Sequence, residues 1–78
     1  MIGKILKYMR KEKNLNQTQL AKKLNIAQTT LSGYETKYSN PTFEAIEKIS
    51  NICDFEIIFR NKYTKEEITT SNINRKEI

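Results

Sequence analysis

The chain has 78 residues, one cysteine (Cys53), no histidine and a formal net charge of +5. That length holds one domain, and the single thiol with no histidine excludes an internal disulfide framework and a zinc site of the usual Cys/His kind. The charge is concentrated: residues 1–40 carry eight Lys or Arg against two Glu, and residues 41–78 six against seven acidic groups, so a basic half points to a polyanionic partner, nucleic acid first.

Ile2, Ile5, Leu6 and Met9 stand at i, i+3, i+4 and i+7, one face of an amphipathic helix running to about Lys13. Lys4, Lys7 and Arg10 interrupt these apolar residues, so no signal peptide is expected. No stretch approaches the ~18 apolar residues of a membrane span, and the lone thiol fits the reducing cytoplasm. Asn14 can end the helix in a left-handed conformation, returning Leu15 to the core.

Asn16 is a good N-cap, and Gln19 three residues later completes a capping box for a helix over about Gln17 to Leu24. Leu20, Ala21 and Leu24 form its buried stripe. Asn25 is the turn residue and Ile26 a core plug. A third helix covers about Gln28 to Thr36, anchored by Leu31, with Tyr34 partly buried. Its cap position, Ala27, has no side-chain oxygen. After the polar loop "KYSN" and Pro41, Thr42 caps a fourth helix, and Glu44 and Glu47 suit its positive end. Phe43, Ala45, Ile46, Ile49, Ile52 and Cys53 supply its apolar face, and Asp54 breaks the pattern. "FEIIFR", Phe55 to Arg60, reads as one short strand. Composition leaves open whether the polar segment 61–78 is a frayed tail, a second strand or a short helix.

Helices of about two turns joined by a turn of about three residues describe a helix-turn-helix. Such helices are too short to stand alone and need the first and fourth helices as a platform. Gln28, Thr29, Thr30, Ser32 and Gly33 are expected to face outward. Ordinary exposed helix positions carry Glu, Lys or Arg; this face carries short or flat hydrogen-bonding groups. It suits the major groove of double-stranded DNA, where Gln pairs with adenine and Thr packs on the thymine methyl. Phosphates would be met at the flanks, by Gln17 at a helix N-terminus and by the loop Lys37, Tyr38, Ser39 and Asn40.

"LNQTQLAKKLNIAQTTLSGYE" followed by "NPTFEAIEKI" resembles the phage-repressor (Cro-like, or XRE) helix-turn-helix family over about residues 2–53. The resemblance implies a mainly α fold of four to five helices, a dimer, and recognition by the third helix. By position it implies phosphate-side contacts at Asn16 and Gln17, base-reading positions at Gln28, Thr29 and Gly33, and a buried salt bridge between Arg10 and Glu35. The sequence departs from the pattern at Ala27, at Gly33, and in "ETKYSNP", which has no glycine.

The expected organisation is a helix-turn-helix domain over 1–53, a dimerisation strand over 54–60 and a polar, partner-binding tail over 61–78. A strand with Ile57, Ile58 and Phe59 in succession is apolar on both faces, so on a monomer it exposes backbone and apolar side chains. It can pair with a second copy or with the tail; pairing across a two-fold axis is the expectation, through Phe55, Ile57, Ile58 and Phe59. The function expected is a DNA-binding transcriptional regulator acting as a homodimer, needing no metal or cofactor. A phage-type repressor, a restriction-system controller and an antitoxin, whose tail would dock a toxin, all fit. The competing reading is a protein-binding adaptor that kept the fold. An enzyme is not expected, since no acid–base constellation is present.

Overall fold

The structure, a computed structural model, describes residues 1–73: four helices and a β-hairpin. α1 (Ile2–Glu12), α2 (Gln17–Leu24), α3 (Gln28–Glu35) and α4 (Phe43–Ile52) close around Leu6, Met9, Leu20, Ala21, Leu31, Ile49 and Cys53. Burial raises the pKa of the Cys53 thiol, so it is a neutral core group. The four helices match the sequence expectation to within a residue or two. No fifth helix follows α4 among the described residues.

Three of the helices end in the same way. After α1, Asn14 adopts φ 60°, Asn14 N–H donates to Lys11 O and Leu15 N–H to Arg10 O. After α2, Asn25 (φ 58°) and Ile26 repeat the pattern on Lys22 and Ala21, and after α4 Asp54 (φ 63°) and Phe55 repeat it on Asn51 and Ser50. These are Schellman closures, in which the amide of a left-handed residue and the amide after it satisfy orphan carbonyls. Each leads into an apolar residue: Leu15 and Ile26 turn back onto the core, and Phe55 stays exposed at its edge. At the N-termini, Asn16 and Gln19 form the expected reciprocal capping box and Thr42 Oγ1 accepts from Ala45 N–H. Ala27 leaves α3 without a side-chain cap.

Ile5 departs from its expected core place and remains 46 % exposed, as do Phe43 at 45 % and Phe59 at 53 %. These residues border a groove of about 430 Å³ between α1, α4 and the segment 55–59, with Ile2, Tyr8 and Ile57 among its other walls. Tyr8 meets Phe55 edge-on with ring centroids 6.2 Å apart, and Phe43 lies 6.2 Å from Phe59. These ring contacts hold the segment against the helices.

The strand expected over 55–60 is shorter and finds a different partner. Only Phe59–Arg60 (β1) enters a ladder, antiparallel to Glu67–Ile68 (β2), with Phe59 opposite Ile68 and Arg60 opposite Glu67. Within the chain the strand thus takes the tail as its partner, the second of the two pairings open to it, and uses one edge of β1 in doing so. Turn chemistry explains it. Asn61 Oδ1 accepts from Tyr63 and Thr64 N–H, Lys65 takes φ 67°, and Asn61 N–H donates to Glu66 O at 2.8 Å. An Asx-turn thus starts the loop and a left-handed residue closes it. Arg60 pairs with Glu67 across the ladder. Residues 74–78, the end of the expected partner-binding tail, lie outside the described residues.

Gly3 permits a close contact between helices. A Cβ there would stand 2.5 Å from Glu35 O and 2.7 Å from Tyr34 O, so α1 lies directly on the C-terminal end of α3. Helix propensity alone favours Ala over Gly by about 1 kcal/mol. Gly3→Ala should nevertheless destabilise the fold by ~1–3 kcal/mol, the usual cost of overpacking. Urea denaturation checks this, and a stabilised variant would show that the contact relaxes freely.

Candidate nucleic-acid interface

The centre of the site is an ion pair beneath α3. Arg10 Nε donates to Glu35 Oε2 at 2.7 Å and Nη2 to Oε1 at 3.0 Å, while Nη1 donates to Leu15 O at 2.9 Å. Both side chains are nearly closed to solvent, at 8 % and 2 % exposure. The geometry is the bidentate fork that suits guanidinium and carboxylate. Burial alone would raise the Glu35 pKa, but hydrogen bonds from Arg10 and Gln17, with the Arg10 charge, hold it below the ordinary carboxylate value. The hydrogen bond to Glu35 raises Arg10 further. The pair implied by the family resemblance is present, and it joins α1 to α3.

The same carboxylate reaches the outer face of α3. Gln17 Nε2 donates to Glu35 Oε1 at 3.0 Å, and Gln17 Oε1 accepts from Gln28 Nε2 at 2.6 Å. A carboxylate can only accept, so Gln17 must present its amide NH2 to Glu35 and its oxygen to Gln28. Gln28 must then turn its own NH2 toward Gln17. This leaves Gln28 with an unengaged carbonyl oxygen and one spare N–H, the complement of the N6 donor and N7 acceptor of adenine. Gln17, expected at a phosphate, also acts as a strut between Glu35 and Gln28, and its backbone N–H lies in the first turn of α2. Asn16 likewise spends its side-chain oxygen on the cap. Nothing in the one-dimensional pattern marks the Gln17–Gln28 contact, which spans 11 positions.

Gln28, Thr29 and Thr30 are exposed and Ser32 partly so, as expected of a reading face. Gly33 is buried; its place as an outward reading position is corrected. The following loop covers it: Ser39 N–H donates to Gly33 O at 3.2 Å, and Ser39 Oγ lies 2.9 Å from where a Cβ would stand. Lys37 supplies the left-handed turn (φ 69°) in a loop that has no glycine. Lys37, Tyr38, Ser39 and Asn40 are all exposed, Tyr38 at 91 %. The expected dimerisation residues Phe55, Ile57 and Phe59 line the groove described above, and Ile58 is 45 % exposed beside them.

Two short helices set by a left-handed turn, a polar outer face on the second, and a buried Arg–Glu fork behind it define a helix-turn-helix protein. The chain belongs to the helix-turn-helix family, whose profile matches residues 6–59. It is 36 % identical over 58 residues to the HTH-type transcriptional regulator SinR of Bacillus subtilis (strain 168), covering 73 % of this chain and 52 % of that protein. It is 39 % identical over 51 residues to the HTH-type transcriptional regulator ImmR of the same organism, covering 65 % of this chain and 40 % of that protein. The chain thus spans about half the length of the curated relatives it matches. No solved structure gives a significant match.

Breaking the buried pair by Arg10→Met or Glu35→Leu should each cost roughly 3–5 kcal/mol, because the partner's charge is left uncompensated. The double replacement should be much milder than either single one. Because the folded pKa of Glu35 is depressed, its contribution is complete above the unfolded carboxylate value, about 4.3, and is lost as pH falls through the folded value. Urea midpoints measured against pH should fall there in the wild type and show less of that fall in the double variant. Small, additive single effects would count against a coupled pair.

Proposed function

We propose that this protein is a sequence-specific transcriptional regulator that binds double-stranded DNA as a homodimer on a palindromic operator, acting in the cytoplasm as a repressor or autoregulator. The observation that carries the reading is the oriented face of α3. Gln28 is held in one amide orientation by Gln17 and Glu35, and Thr29, Thr30 and Ser32 are uncharged beside it. Solvent gives an uncharged, pre-oriented face nothing to recognise, whereas base edges do. Lys7, Lys11, Lys22, Lys23 and Lys37 supply positive charge on the same half of the chain for phosphates. The relatives' printed role as transcriptional regulators agrees with this. An antitoxin-type member of the class would present 61–78 to a toxin; its residues 61–73 would then be folded before the partner arrives.

The dimer is supported by the exposed apolar face of α1, α4 and residues 55–59, including Phe55, Ile57, Ile58 and Phe59. A contiguous apolar patch of this kind marks an interaction surface. A two-fold axis there would give two reading helices for half-sites ~34 Å apart. The hairpin changes how that contact would form. With one edge of β1 already used by β2, a second copy would meet its other edge and the apolar side chains around it.

Selection from a random DNA pool should enrich a palindrome. Affinity should fall by orders of magnitude from low to moderate salt if ~6–10 phosphates are neutralised. Gln28→Ala or Thr29→Ala should cost about 1–3 kcal/mol and relax one base pair per half-site without unfolding the protein. No enrichment, or a flat salt response, would favour the adaptor reading.

Ile58→Lys should give a monomer or a weakened dimer by sedimentation, with helicity retained and much poorer binding to the full palindrome. Binding to a single half-site should change less. A tight dimer with unaltered palindrome affinity would place the dimer contact elsewhere.

A further inference from the structure

Gly33 is buried on the side of α3 where burial is least expected. At 3.6 residues per turn, a residue two positions from Leu31 points about 200° away from it, and Leu31 is fully buried in the core. Gly33 therefore shares the outer face with Thr29, which is exposed. The groups nearest an added Cβ belong to Ser39 and Tyr38. The loop after α3 has folded back over the reading face itself, not beside it.

The α3 terminus shows how this is achieved. The other three helices end in Schellman closures that lead into an apolar residue. Here Thr36 Oγ1 donates to Ser32 O at 2.9 Å, Lys37 turns left-handed, and Ser39 N–H returns to Gly33 O. The chain is carried outward and back, and the Ser39 hydroxyl comes to rest where a side chain at position 33 would begin. Ser39 remains exposed, and a serine hydroxyl both donates and accepts, so it can pair with any base edge.

We propose that Ser39 is a base-reading residue that takes the place of the missing side chain at position 33, so that the reading surface consists of α3 plus this loop. The assignment rests on the DNA-binding reading and reassigns Ser39 from phosphate contact to sequence readout. Phosphate and base contacts respond differently to substitution, which makes the distinction measurable.

The probe is the duplex that the wild-type protein selects, together with its single-base-pair variants. Ser39→Ala should relax discrimination at one base pair per half-site by fivefold or more, at a position distinct from those relaxed by Gln28→Ala and Thr29→Ala. Its salt slope should match that of the wild type, and Ser39→Thr should retain the preference. Gly33→Ala pushes against the Ser39 hydroxyl and should relax the same base pair. Combined with Ser39→Ala it should add nothing further, because the colliding atom is gone. A uniform loss across all sequences with a shallower salt slope would overturn the assignment in favour of a phosphate contact, as would no change at all or additive effects of the two substitutions. Melting curves on each variant separate misfolding from lost readout. A wild-type protein that enriches no sequence would overturn both this assignment and the reading beneath it.

Discussion

The Arg10–Glu35 fork is the interaction on which the rest of this small domain depends. A 78-residue chain has little core to spare, and the eight-residue helices α2 and α3 are too short to hold themselves. The fork fixes α3 against α1 while Gln17 ties α2 to the same carboxylate. Three helices therefore share one acceptor group, and the angle between α2 and α3 is set from beneath. Gly3 serves the same end by letting α1 approach the α3 carbonyls directly. A buried ion pair is weak evidence for stability as such; here its use is positional, since its hydrogen bonds run out to Gln28 at the surface.

Backbone handedness does the remaining work. Asn14, Asn25 and Asp54 each accept a left-handed conformation that most L residues avoid. Each one converts a helix end into a turn that is followed at once by an apolar residue: Leu15 and Ile26 pack on the core, and Phe55 on Tyr8 at its edge. Lys37 and Lys65 make the same excursion with no interior to return to, Lys37 where the loop across α3 begins and Lys65 where the exposed hairpin loop closes. The fold is thus a set of similar reversals whose outcome depends on whether an apolar residue follows.

Much of this was legible in the sequence because it is local. The Asn16–Gln19 box, the Thr42 cap, the asparagine turns and the 3.6-residue stripes all lie within a few positions of one another, and the helices appear where those signals place them. The Arg10–Glu35 pair is distant in sequence and came from the family pattern, not from periodicity. Three features escaped. Gly33 falls on the outer arc of its helix, and only the return of the loop, which carries no glycine to announce it, buries it. The Gln17–Gln28 bond joins residues that are unremarkable singly. The hairpin competes with a strand pattern that favoured another partner, and the deciding residue, Lys65, is an unusual choice for a left-handed turn. Gly3 did leave a trace, since a glycine inside an amphipathic helix needs a packing reason.

The order of the polar chain, Arg10 to Glu35 to Gln17 to Gln28, has an evolutionary consequence. Both oxygens of the buried carboxylate are satisfied before Gln28 is reached. Replacing Gln28 removes a bond to Gln17 at an exposed site and strands no buried charge. Residues 10, 17 and 35 are locked to one another, while 28, 29 and 32 are free to drift. If α3 reads DNA as proposed, a duplicated copy of this gene could acquire a new target sequence by one or two substitutions and keep its fold, and two such copies in one cell could part company quickly enough to avoid cross-regulation.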